Sequence, residues 1–242
     1  MTILFVSLVI PAGLMLNGSL RFRFPRLAQI FAIETGYMAV AATAVFAITI
    51  DSPSLNKISG YGFFCFCVLQ TTGFMIDSIR KGSTLGAVST VFSSIAMILW
   101  GASASLHSVM ASDGRFLMWG ENAPPYIQAI YSLWAVQVIV EMRSLPKLTE
   151  ASAHIVSVLV ALFSGQFFFA RLLTASQIIL LDALLHYTDP AFLGKETLTV
   201  SETELARFRS FYRRFGAPLL FGLVTLLAGL SSYGSLQRLN II

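Results

Sequence analysis

Charged residues are scarce in this sequence. Only 12% of its 242 residues are Asp, Glu, Lys or Arg, while 56% are hydrophobic; soluble proteins carry about one quarter charged residues. So few charges cannot clothe a water-facing surface, which excludes an ordinary soluble domain. The mean hydropathy of +0.76 is spread along the whole chain. The expected fold is therefore all-α: a polytopic transmembrane helical bundle of seven or eight spans, forming a single integral membrane domain over 1–242.

Metal and cofactor signals are missing as well. The two cysteines, Cys65 and Cys67, stand two positions apart on one apolar run, so on a helix they point about 200° apart and cannot easily bridge or share a metal. Both read as buried free thiols. His107, His154 and His186 are too scattered to ligate haems, no His/His/carboxylate spacing suits zinc, and no Asp-rich motif suits a metal diphosphate. Every lysine falls in a predicted loop, which excludes a retinal Schiff base, and no phosphate-binding loop occurs. The expectation is no metal and no cofactor. The net charge of +4 sits in short loops rather than in a stripe, so nucleic acid is not an expected partner.

What is present is a series of apolar runs near bilayer length: about 2–20, 27–50, 60–78, 85–106, 123–141, 152–171 and 215–237. Pro11 falls inside the first and is a candidate kink. An eighth candidate, 172–188, continues directly from the sixth; joined, the two would make about 54 Å of helix, longer than one crossing needs. Either the chain turns back between Arg171 and Gln177, where neither Gly nor Pro stands, or this stretch lies along the interface. Charge favours the turn. With eight spans, the loops holding Arg21, Arg23 and Arg26, then Arg80 and Lys81, then Arg143 and Lys147, then Lys195, Arg207, Arg209, Arg213 and Arg214 all face the cytosol, leaving Lys57, Arg115, Arg171 and Arg238 opposite. Within the longest polar stretch, Ser201 and Glu204 have capping-box spacing. A short basic amphipathic helix on the cytosolic surface is expected after them, with Phe208, Phe211 and Tyr212 toward lipid.

The acids inside or near these spans are the candidates for chemistry. Glu34 lies about 12 Å along a helix from Arg26, too deep for a short side chain to reach the headgroups, and an ionisable group at that depth is costly. A carboxyl group desolvated in hydrocarbon tends to keep its proton and can serve as a general acid. The bland alternative is a hydrogen-bonded staple between helices. Asp77, Glu141 and Asp182 gather near the same membrane face; Asp77 and Glu141 stand beside Arg80 and Arg143, within headgroup reach. Asp182 has His186 one turn later, a pair able to hold a proton or to fasten two helices. Tyr37 shares the face of Glu34, and Trp100 and Trp134 lie within spans where their indole N–H groups need partners. Such rings can line a pocket that stabilises a carbocation, although most membrane aromatics simply pack.

In size, span number, freedom from metal motifs and possession of intrahelical acids, the chain resembles the small membrane-bound terpene cyclases of fungal meroterpenoid and indole-diterpene pathways. The commonest branch carries Cys-Asn-x-x-Trp-Glu around its acid, whereas Glu34 here sits in Ala-Ile-Glu-Thr-Gly-Tyr. The resemblance implies protonation of an epoxide or olefin on a prenyl chain by Glu34, Asp77 or Asp182, with Tyr37, Trp100, Trp134 and His186 against the substrate. It also implies a lipid-soluble isoprenoid substrate, membrane lipids and other membrane-bound pathway enzymes as partners, and the endoplasmic reticulum as location. The competing classes are a non-enzymatic membrane subunit or assembly factor and a small transporter or proton channel, the latter with weak broken-helix signals at Pro11 and Pro124-Pro125.

Overall fold

The computed structural model describes residues 8–13, 16, 25–81, 84–141, 148–174 and 201–241; for 25–31, 74, 77, 81, 138, 141, 148–153 and 202 it describes the backbone alone. The named helices are α1 (Pro25–Thr49), α2 (Pro53–Lys81), α3 (Thr84–Ser103), α4 (Pro125–Glu141), α5 (Leu148–Ser164), α6 (Glu202–Phe211) and α7 (Ala217–Arg238). A π turn (Tyr212–Gly216) joins α6 to α7, and a two-stranded ribbon, β1 (Val109–Met110) with β2 (Phe116–Leu117), stands between α3 and α4. Residues 8–13, with Pro11 among them, and 167–174 are also helical. Proline punctuates the starts: Pro25, Pro53 and Pro125 open α1, α2 and α4, and Pro218 stands in the first turn of α7. At Pro25, Pro53 and Pro125 the missing N–H is no loss and φ is already helical, whereas Pro218 lies inside the continuous run 203–238, where its missing N–H removes a helical hydrogen bond beside the π turn.

Among the described residues, four helices are long and apolar enough to cross a membrane: 32–49 of α1, 53–80 of α2, α3, and the run 203–238 that unites α6 with α7. Apolar association does not drive helices together in lipid, so close packing of small residues and polar contacts must. α3 supplies them. Its buried face is Gly86, Ser89, Thr90, Ser93, Ser94, Ala96, Met97, Trp100 and Gly101, and it packs most extensively on α7, whose buried Val224, Ala228, Ser231 and Ser235 recur at helical spacing. Gln137 of α4 donates to Gly86 O and to Thr90 Oγ1 (2.8 Å), and Thr90 Oγ1 lies 3.2 Å from Ser78 Oγ of α2.

The helices run alternately between two ends. At one end Asn56, at the start of α2, exchanges two hydrogen bonds with the Ser108 backbone (2.7 and 2.8 Å). Gln166 Oε1 accepts from Phe116 N (2.8 Å), Asn122 Oδ1 accepts from Phe167 N (2.8 Å), and Arg238 at the end of α7 pairs with Glu121 (2.9 Å). This is the ribbon end. At the other end Val140 of α4 packs against Tyr212, Ala217 and Leu220, beside the arginines of α6.

Several expectations are corrected. The sixth run does not continue to 171: α5 stops at Ser164 and the chain reverses at Gly165, whose φ of +68° suits glycine. The turn thus exists, carries a glycine, and lies before the stretch in which it was sought. Arg171 is not a loop charge but belongs to the helix after that turn and is buried at 9% exposure. The basic helix has its Ser201 cap, with Ser201 Oγ accepting from Glu204 N at 3.3 Å, but it is continuous with α7 rather than a separate surface helix. Tyr212 faces inward at 6% exposure, because it lies seven residues after buried Leu205 on the same face. Cys65 is exposed and Cys67 only partly covered, since α2 turns the face carrying Cys65 outward.

Candidate functional site

A polar group near the middle of a long apolar helix is built on α1 and α2. Tyr37 is buried at 6% exposure, and its hydroxyl donates to Gln70 Oε1 at 2.8 Å. Gly36 leaves room for the Phe66 ring: a Cβ there would lie 2.7 Å from Phe66 Cζ and would push the ring from its place beside Tyr37, centroids 4.8 Å apart. Glu34 is half-buried, one turn from Tyr37 on the same face. Tyr37 lies within electrostatic range of Glu34, Cys67 and Tyr131. Since Tyr37 stands opposite Gln70, helix geometry puts Glu34 about 4.5 Å and the Asp77 backbone about 10 Å toward the arginine end. Gln70 itself is exposed on the outer face of α2.

A second assembly fills the ribbon half of the bundle. Trp100 packs edge-on to Trp119 (5.3 Å) and stacks on Phe168 (5.5 Å). Tyr131 joins Trp134 (5.3 Å), Phe167 (5.5 Å) and Phe168 (5.6 Å) into the same network. Trp100 and Trp134 are 1% and 4% exposed. They are linked through Phe168 and Tyr131 rather than by direct contact, and the Trp100 indole N–H has no acceptor among the described residues. The void beside Trp100, Phe116, Trp119 and Phe168 amounts to about 10 Å³, room for one water and none for a prenyl chain. Arg171 closes this network: its guanidinium sits 5.8 Å from the Tyr131 ring centre and 2.8 Å from His154 Nδ1. Among the described residues its Nε has no partner.

Of the residues singled out in the sequence, Glu34 and Tyr37 come together, and Trp100 and Trp134 share the aromatic core. Asp77 and Glu141 have helical backbones at the arginine end. Asp182 and His186 lie outside the described residues. Missed altogether were Gln70, Gln137, Trp119 and the Arg171–His154 pair. The signal for the two glutamines was there: an amide inside an apolar run is nearly as costly as an acid and needs a partner as much. Among the described residues no group of three His, Cys, Asp or Glu is arranged to hold a metal. Compared with known protein families, curated proteins and solved structures, the chain matches none of them.

Proposed function

We propose that the protein is an integral membrane terpene cyclase that protonates an epoxide or olefin of a prenylated substrate and directs cyclisation of the resulting cation. The observation that carries this reading is the Glu34–Tyr37–Gln70 group, where a half-buried acid stands one turn from a buried phenol that is hydrogen-bonded to an exposed amide on the neighbouring membrane helix. A lipid-soluble isoprenoid reaches such a group from the bilayer without crossing water. Glu34 gives its proton to the epoxide oxygen, the C–O bond breaks, and the tertiary cation is attacked by the next alkene of the chain. The Phe66 and Tyr37 ring faces stabilise that cation. Loss of a proton from the final cation restores neutrality, so substrate and product are isomers and no co-reactant is consumed.

The same reading takes the bundle as eight spans in the endoplasmic reticulum. Support for the extra crossing is that Gly165 lies at the ribbon end, through the Arg115 Nη1 bond to its carbonyl (3.4 Å), whereas Tyr212 lies at the arginine end. That difference of ends supports one more crossing between them. A second reading, a non-enzymatic subunit of a larger membrane complex, is favoured by the aromatic core, which is packed too tightly to be a substrate chamber. The two separate in microsomes fed a farnesylated phenol with a terminal epoxide. A cyclised product of unchanged mass, formed in the presence of chelator, is expected of the cyclase. No product across epoxide and olefin substrates, with the protein co-purifying in a fixed complex, supports the subunit.

A further inference from the structure

Where α6 enters α7 the continuous helix carries three faces of different chemistry. Leu205 and Tyr212, 1% and 6% exposed, point into the bundle. Phe208, Phe211 and Phe215, spaced three and four residues, are 45%, 63% and 54% exposed, and the last two rings lie 5.4 Å apart. Ala206, Arg209, Ser210, Arg213 and Arg214 line a concavity of about 520 Å³. In the π turn each residue steps round the axis by less than in an α-helix, which lets the adjacent Arg213 and Arg214 both face it. Among the described residues its lining holds three guanidinium groups, one hydroxyl and no carboxylate. Among the described residues no acid pairs with any of the three arginines; Glu204 is engaged by Ser201 at 2.6 Å, and Arg214 lies over the Phe215 ring at 5.1 Å.

We propose that this face binds the headgroup of an anionic phospholipid, with the phosphate among Arg209, Arg213 and Arg214, Ser210 donating to it, and the acyl chains along Phe208, Phe211 and Phe215. Guanidinium forks match phosphate oxygens bidentately. A free phosphate would use the arginines alone. The exposed phenyl rows beside them, at the point where the helix becomes apolar, are what a lipid adds. Each juxtamembrane arginine strengthens attraction to anionic lipid by roughly fivefold.

The test is native mass spectrometry of the full chain in dodecyl maltoside with dioleoylphosphatidylglycerol or dioleoylphosphatidylcholine. The expected result is retention of the anionic lipid at least about tenfold over the zwitterionic one, reduced to near parity in R209Q/R213Q/R214Q and not displaced by inorganic phosphate. Absence of a preference, or its survival in the triple variant, overturns the proposal. Displacement by inorganic phosphate overturns the lipid as occupant and leaves a free-anion site. If the triple variant does not accumulate, the wild type decides: phosphatidylglycerol should raise its Tm at low salt and lose that effect at about 0.5 M NaCl, where surface charge is screened. A salt-insensitive rise, or none, contradicts the site.

Discussion

The two ends of the bundle are held in different ways. At the ribbon end, side-chain amides reach backbone groups across long stretches of sequence: Asn56 to Ser108, Gln166 to Phe116, Asn122 to Phe167. At the arginine end, guanidinium groups stand on one exposed helix face with no acid among the described residues to meet them. The first pattern is satisfied inside the protein and fixes how helix ends sit; the second has no acidic partner among the described residues. The ribbon end is thus tied by internal hydrogen bonds, and the arginine end is where the proposed lipid site lies.

That contrast is broken most severely at Gly60. A Cβ there would lie 1.8 Å from the Leu106 carbonyl oxygen, and backbone on both sides cannot easily yield, so Gly60→Ala should destabilise the fold by about 3 kcal/mol, read as a lowered Tm in detergent. Next is Asn56→Ala, which removes both bonds to Ser108 and leaves partly buried backbone groups without them; the expected loss is about 2 kcal/mol in the same assay. Arg213→Gln at the opposite end should stay within about 0.5 kcal/mol, because that exposed side chain has no acidic partner among the described residues. A loss as large as that of Asn56→Ala would erase the distinction between the ends.

The smallest effect is expected at Asp113 in the ribbon loop. The Arg115 backbone N–H, aided by its guanidinium at 2.7 Å, holds the Asp113 carboxyl below the ordinary carboxylate range. Because the folded value is the lower one, the stabilisation is present above the unfolded pKa of about 3.9 and is lost as pH falls through the folded value. Both groups face solvent, so only a slight fall in Tm below about pH 4 is expected, absent in Asp113→Asn.

Class and most helix positions were legible in the apolar runs, because bilayer length and helical rise leave little freedom. α2 was underestimated: its apolar run begins at residue 60 and the stretch with Asn56 and Lys57 reads as a loop, whereas Pro53 starts the helix and Gly60 serves close approach to Leu106. Gly165 was overlooked since it lies inside an apolar run of bilayer length, and length outweighed a single turn residue. The pairing of Glu34 with Tyr37 follows from spacing on one helix and was readable. Gln70 was readable as a costly amide inside an apolar run, but its pairing with Tyr37 and that of Arg171 with His154 depend on how segments distant in sequence adjoin, which no local pattern encodes.

Glu34 carries the functional reading, and one substitution reaches it directly. Glu34→Gln keeps shape and hydrogen-bonding capacity but removes the transferable proton. With wild-type protein levels in microsomes, conversion of the epoxidised farnesyl phenol should fall by about 100-fold or more, with Tm unchanged. Full conversion by Glu34→Gln at equal protein level would contradict the assignment. A collapse of accumulation or Tm would contradict it too, and return Glu34 to the role of a staple between helices.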